Sequence, residues 1–236
     1  MAHEFRIERE VVLPATPEQV FAAVTEGTAG WMFPTPAVNP ADPDPANPVR
    51  TWDPPHHLAV RQDGPDGWFN ALEHIIEAHD GGTAVVRYVH SGIMTDDWEA
   101  QYDGASKHTD FYLHSLGEYL DHFAGRPVTY IAADGPESSG APGSFDRLPP
   151  ALGISAAAAP GAPVALDIPG LDHIDAVIDY RNEWFLGLRS ADALYRFYGR
   201  DSFGATVDAA HHLFGARTDG DRQQTAWQNW LDALYA

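Results

Sequence analysis

In the stretch "DFYLHSLGEYLDH", Asp110, His114, Glu118 and His122 recur at every fourth position. On a helix this spacing stacks the four side chains in one stripe, and carboxylates alternating with imidazoles are a donor set that can hold a divalent metal. The longer segment around it, "DDWEAQYDGASKHTDFYLHSLGEYLDHFAGRP", carries Trp98, Tyr102, Ala105, Thr109, Tyr112, Leu116, Tyr119 and Phe123 at alternating steps of four and three. That is the apolar face of an amphipathic helix. The two stripes point apart, so the His/Glu stripe is expected in water and no metal is expected on it. His56-His57 and His211-His212 are adjacent pairs; neighbouring side chains diverge on regular structure, so neither pair is expected to bind a metal. Arg181, Arg189, Arg196 and Arg200 gather basic charge in an acidic chain. They can hold an anionic group, but internal pairing with Asp179, Asp192 and Asp201 is the expectation. No Gly-x-Ser-x-Gly elbow, phosphate-binding loop or dinucleotide fingerprint occurs.

Composition narrows the chemistry further. The 236 residues contain no cysteine, which excludes disulfides, thiol catalysis and zinc–thiolate sites. The formal charge of −20 repels phosphate backbones and anionic membranes, so neither nucleic acid nor a membrane is an expected partner. No apolar run reaches the roughly 18 residues that would span a bilayer, and "MAHEFRIERE" is charged where a signal peptide is apolar. A cytoplasmic location is therefore expected. Lys107 is the only lysine amid abundant Arg, Ala, Gly and Pro, a usage that points to a GC-rich bacterial coding sequence.

Specific elements must position these groups. "FRIEREVVL" alternates as a strand with Phe5, Ile7 and Val11 on one face. In "PATPEQVFAAV", Thr16, Pro17 and Gln19 form a helix start with a capping box, and Val20, Phe21 and Val24 form its buried stripe. "NPADPDPANP" is a proline-rich loop. "VRTWDPP" and "HHLAVRQD" read as strand, turn, strand. "ALEHIIEA" and "TAVVRYVH" flank the turn signal "HDGG" and read as a hairpin. A long helix follows over about Asp97 to Phe123. Asp96 and Asp97 stand at its positive end, and Gly125 and Pro127 stop it. The Ala/Gly/Pro/Ser-rich residues 128–163 read as a linker with a short helix near "FDRLPPALGI". "DAVIDYR", "WFLGLRS" and "ALYRFYG" read as three short strands. "RQQTAWQNWLDALYA" reads as a closing helix with Trp227, Trp230, Leu231 and Leu234 on one face.

Four pieces in this order carry a resemblance: "IEREVVLPATPEQVFAAVTEG", "WDPPHHLAV", "GGTAVVRYVHSGI" and "HSLGEYLDHF". Over residues 5–125 the chain resembles a helix-grip domain of the START/polyketide-cyclase (SRPBCC) superfamily, nearest the activator-of-heat-shock-ATPase-like family. The resemblance implies an α+β fold, a curved antiparallel sheet wrapped around a long C-terminal helix. Residues 1–127 are expected to form this domain and 164–236 a smaller α+β module. That module is either an extension of the kind seen in some relatives or a truncated second helix-grip unit.

The resemblance also implies a cavity between sheet and helix that takes a small hydrophobic ligand; no cofactor is expected. The helix offers Tyr102, Tyr112 and Leu116 to such a cavity, and the sheet offers Trp52, Trp68, Phe69 and Tyr88. Rings with a polar tip suit an apolar pocket that orients its ligand; packing of the core is the alternative reading of each. Cyclases of the superfamily use pocket acids, His or Tyr, which makes His90, Asp97 and Tyr102 the candidates for acid–base work. Non-enzymatic binding is the expected function. A cyclase or aromatase and a chaperone-associated interaction protein are the alternatives.

Overall fold

The computed structural model describes residues 2–36, 38–44, 46–95, 97–215 and 219–236. Asp96, read above as a helix-dipole partner, lies outside them. The chain divides into two compact units, Met1–Thr28 with Pro34–Ala124 and Ala29–Phe33 with Gly125–Ala236.

In the first unit, β1 (His3–Leu13) leads into α1 (Pro17–Thr25). Phe5, Ile7 and Leu13 of β1 are buried at alternating positions, as a half-buried strand requires. The capping box forms: the Gln19 N–H donates to Thr16 Oγ1 (3.4 Å), and the Thr16 N–H donates to Gln19 Oε1 (2.9 Å). Then come β2 (Val49–Asp53), β3 (His57–Asp63), β4 (Phe69–His79), β5 (Thr83–Met94) and α2 (Trp98–His122). Gly81 and Gly82 take φ of +73° and +79° in the β4–β5 turn, which only glycine adopts freely. The antiparallel sheet has the order β1-β5-β4-β3-β2.

At 25 residues, α2 is roughly 37 Å long. Thr109, Leu116, Tyr119 and Phe123 of the predicted stripe are buried; Trp98, Ala105 and Tyr112 are half-buried, and Tyr102 is exposed. Phe111, Leu113, Ser115 and Leu120 are buried as well, so the covered arc is wider than one stripe. Asp97 sits at φ +48° and its side chain caps no backbone N–H. The helix ends on Phe123, whose N–H reaches Tyr119 O (2.8 Å), and Gly125 follows at φ +75°.

The second unit holds β6 (Thr129–Asp134), α3 (Leu148–Ala151), β7 (Pro163–Leu166), β8 (Ile174–Arg181), β9 (Phe185–Arg189), β10 (Ala193–Gly199), β11 (Val207–Leu213) and α4 (Gly220–Leu234). Its sheet order is β6-β11-β10-β9-β8-β7. The winding is that of the first sheet: the first strand lies beside the last, the rest follow in reverse, and an amphipathic helix closes the unit.

The expectation of a linker over 128–163 gives way here. This stretch supplies β6, which pairs with β11, and sends Phe145, Leu148, Leu152 and Ile154 into the core. Its glycines and prolines make tight turns, with Gly143, Gly153 and Gly161 all at positive φ, rather than a flexible tether. Ser139 is buried with its hydroxyl satisfied, donating to Pro136 O (2.7 Å) and accepting from the Val207 N–H (3.1 Å). β6 and β11 escape a reading by β-branched and aromatic content because "TYIAAD" and "VDAAHHL" are rich in Ala, Asp and His.

Candidate functional site

Strand alternation assigns the faces of the first sheet. The register places Leu58, His74 and Tyr88 side by side, then Val60, Leu72 and His90, with Asn70 opposite Gly92. These share the face that α1 and α2 cover; the helices approach β1, β4 and β5. Towards α1 this face is closed, with Leu58, His74, Ile76, Ala84 and Val86 all buried. Further along, Trp52, Val60, Asn70, Leu72, Tyr88 and His90 are only half-buried, as is Tyr112 of α2.

His74 is the most unusual group on this face. It is 5% exposed, and among the described residues neither ring nitrogen has a hydrogen-bond partner. Burial pulls its pKa down to about 4, so the ring is neutral at pH 7. Tyr88 meets it edge-on, with centroids 5.2 Å apart. The Tyr88 hydroxyl is hydrogen-bonded to Thr109 of α2; burial pushes its pKa up to about 12, and neighbouring Tyr112 adds to the rise. Two residues along the face from Tyr88, His90 Nε2 stands 2.7 Å from Asn70 Oδ1. The amide oxygen can only accept, so Nε2 carries the proton and Nδ1 is left as an acceptor. Burial lowers the His90 pKa. Arg9 of β1 ties down the far side, donating to Asp110 and, at 3.0 Å, to Ser106 Oγ. The face therefore combines rings, neutral imidazoles and a cation already matched by a carboxylate.

The residues singled out in the sequence fall into two groups. Tyr88 and Trp52 lie on this face, separated by Leu58 and His74, with Trp52 edge-on to Phe21 of α1 at 5.1 Å, and Tyr112 of α2 neighbours Tyr88. Leu116 is wholly buried beneath α2 and His90 stands on the sheet. Phe69, by contrast, lies on the opposite face of the sheet, where the Arg61 guanidinium sits 3.8 Å from its ring centre. Alternation places Asn70, not Phe69, on the inner face. Trp68 packs over Gly64 in the turn before β4. Tyr102 is 37% exposed and Asp97 is exposed. His74 has a signal in the sequence: "LEHII" alternates, and His74 is the polar member of the Leu72–His74–Ile76 face.

The metal stripe resolves into ordinary pairs. Asp110 is held by Arg9, while Glu118 lies 4.0 Å from His114 and 3.7 Å from His122. Among the described residues, no group of His, Asp and Glu is arranged to hold a metal.

The second unit treats its equivalent face differently. His211 is buried against Trp227 (4.5 Å between ring centres), Tyr195 and Phe197 (5.1 Å each), so aromatic side chains fill the space beneath α4. The Arg196 N–H donates to His211 Nδ1 (3.2 Å). On the other face, the Arg196 side chain is buried and paired with Asp179 at 2.9 Å, as the charge pattern anticipated; Arg200 pairs instead with Asp208 at 2.8 Å. A depression of about 550 Å³ lies between Pro169-Gly170 and the start of α4, lined by Asp219, Asp221, Arg222, Thr225 and Asn229. It contains none of the candidate residues.

No protein-family model matches the chain, and no curated protein matches it. Among solved structures it is similar to the Aha1 dimer from Colwellia psychrerythraea at 19% identity, over 49% of this chain and 96% of that one, with a TM-score of 0.37. It is similar to DynU16, from the dynemicin biosynthetic locus, at 13% identity over 98% and 95% of the two chains, with a TM-score of 0.40. It is also similar to the di-domain ARO/CYC BexL of the BE-7585A biosynthetic pathway, at 12% identity over 98% of each chain, with a TM-score of 0.42. The strand order and closing helix of this chain make a helix-grip fold, the architecture that the START/polyketide-cyclase resemblance implied.

Proposed function

We propose that the first unit binds a small, largely apolar molecule between the inner face of its sheet and α2. The observation that carries this reading is the row of half-buried side chains, Trp52, Leu72, Tyr88, His90 and Tyr112, on a face whose counterpart in the second unit is filled by Trp227 and its aromatic neighbours. Rings that keep some exposure and present hydroxyl or imidazole tips supply apolar area and a few orienting polar groups, the usual make-up of a small-molecule site. The neutral fluorophore Nile red should bind the native protein with a Kd of about 1 μM, or roughly −8 kcal/mol. Failure of Nile red to bind removes this reading.

Acid–base catalysis on the bound molecule is a second reading, favoured by His90, a half-buried neutral imidazole that keeps an acceptor nitrogen on the same face. The test is proton exchange. The native protein should speed deuterium uptake next to the carbonyl of 2-tetralone, followed by NMR, and His90→Gln should abolish the acceleration. Exchange at the buffer rate leaves binding alone.

A further inference from the structure

We infer that His74 is the group that reads the ligand's polar end, and that this end is a hydroxyl on an apolar, ring-bearing frame: a phenol or an alcohol rather than an anion. The inference rests on the binding reading above and goes further by naming the ligand's functional group.

The argument begins with what a buried imidazole needs. Buried polar groups are almost always hydrogen-bonded, and one left without a partner calls for an explanation. In His74 both ring nitrogens are in this state. The side chains beside it do not satisfy it: Leu58 and Ile76 are apolar, and Tyr88 presents its ring while its hydroxyl is engaged with Thr109. His74 stands where the closed part of the inner face gives way to the half-buried Leu72, Asn70 and His90. A ligand lying along that row would bring its end to His74.

Electrostatics then selects the end. A neutral imidazole offers one donor and one acceptor. A hydroxyl can pair with either nitrogen whichever one carries the proton, whereas a carbonyl can pair only with the protonated nitrogen. A carboxylate would need a cation, because a buried charge is tolerated only when paired. Arg9, which stands opposite Tyr88 in the sheet, is already held by Asp110 and Ser106. Overall charge points the same way, since a chain at −20 repels anions.

Three probes of one shape separate the possibilities: 2-naphthol, 2-methylnaphthalene and 2-naphthoate, each measured by displacement of Nile red. Native protein should prefer 2-naphthol over 2-methylnaphthalene by about tenfold or more, the size of effect expected when a buried polar group gains its partner. 2-Naphthoate should bind weakest. His74→Leu, with its fold checked by circular dichroism, should lose the hydroxyl preference. An equal preference in native and variant protein overturns the assignment to His74, and tight binding of 2-naphthoate overturns the ligand class. If Nile red binds but no probe displaces it, this inference falls while the binding reading stands; if Nile red does not bind, both fall. Should His74→Leu not fold, nitrogen NMR of the native protein decides the matter. 2-Naphthol must shift the His74 ring nitrogens and 2-methylnaphthalene must not, and identical spectra with both probes overturn the inference.

Discussion

The ring of His74 lies edge-on to Tyr88 with 5.2 Å between centroids, and Tyr88 in turn holds Thr109 of α2. A chain of side chains thus runs from β4 through β5 to the long helix, beginning at an imidazole with no hydrogen-bond partner among the described residues.

That imidazole makes stability depend on pH. Its pKa is about 4 in the folded protein, below the ordinary 6.5, so below pH 6.5 the unfolded chain takes up a proton that the folded chain does not. Stability should be undiminished above pH 6.5 and fall as the pH drops towards 4, by roughly 3 kcal/mol from this group alone. Urea unfolding at pH 7, 6, 5 and 4 should show a shallower loss for His74→Leu than for the native protein. Equal slopes would mean that His74 is protonated in the folded state. At pH 7 the same variant should be more stable by about 1–3 kcal/mol, since two unsatisfied buried atoms are removed.

Leu116 is wholly buried under α2. Leu116→Ala should destabilise the protein by roughly 2–5 kcal/mol, the range for truncation of a packed core side chain. A change near zero in the urea midpoint would contradict its place in the core.

Tyr112 tests the ligand site without removing a buried contact. It is half-buried beside Tyr88. Tyr112→Trp should take up part of the space along the inner face and weaken Nile red binding by about tenfold, or 1.4 kcal/mol, while far-ultraviolet circular dichroism stays native. Unchanged binding in a folded variant would move the site elsewhere.

Gly187 controls the buried ion pair of the second unit. A Cβ there would stand 2.9 Å from Arg196 Nη1 and closer still to Asp179 Oδ1. Gly187→Ala should therefore force the pair apart, at a cost approaching the roughly 3–5 kcal/mol of breaking a buried pair. Asp179→Asn should be destabilising in the same direction, as it leaves the Arg196 charge without its carboxylate. If both variants unfold at the native urea midpoint, the pair contributes nothing to stability.

Packing predicts resistance to proteolysis in a stretch rich in Gly, Pro and Ser. Ser139 and Ser144 are buried within a stretch whose composition reads as a tether. Limited digestion should leave 134–144 intact; a first cut there would show the segment to be loosely held.

Local physics made much of the first unit legible. Strand alternation in β1, the Thr16–Gln19 capping box, the two glycines of the β4–β5 turn and the four-and-three spacing of α2 are each set by residues within a few positions of one another. The closing helix was legible for the same reason: Trp227 and Leu231 are buried, and Trp230 and Leu234 pack beside them. What depended on distant partners was not. Whether Gly, Pro and Ser in 128–163 make a tether or a set of turns depends on whether β11 and the core are there to receive them. β11 itself is a strand because neighbours cover both its faces, against the preference of its own residues. The site divided in the same way. Tyr88 and Tyr112 stood out as rings with polar tips on regular elements, but Phe69 and Asn70 are adjacent in sequence and opposite in space, and only the register decides which one faces α2. The orphaned state of His74 belongs to no local pattern. It follows from Leu58, Ile76 and Tyr88 arriving from different points of the chain, two of them apolar and the third presenting its ring.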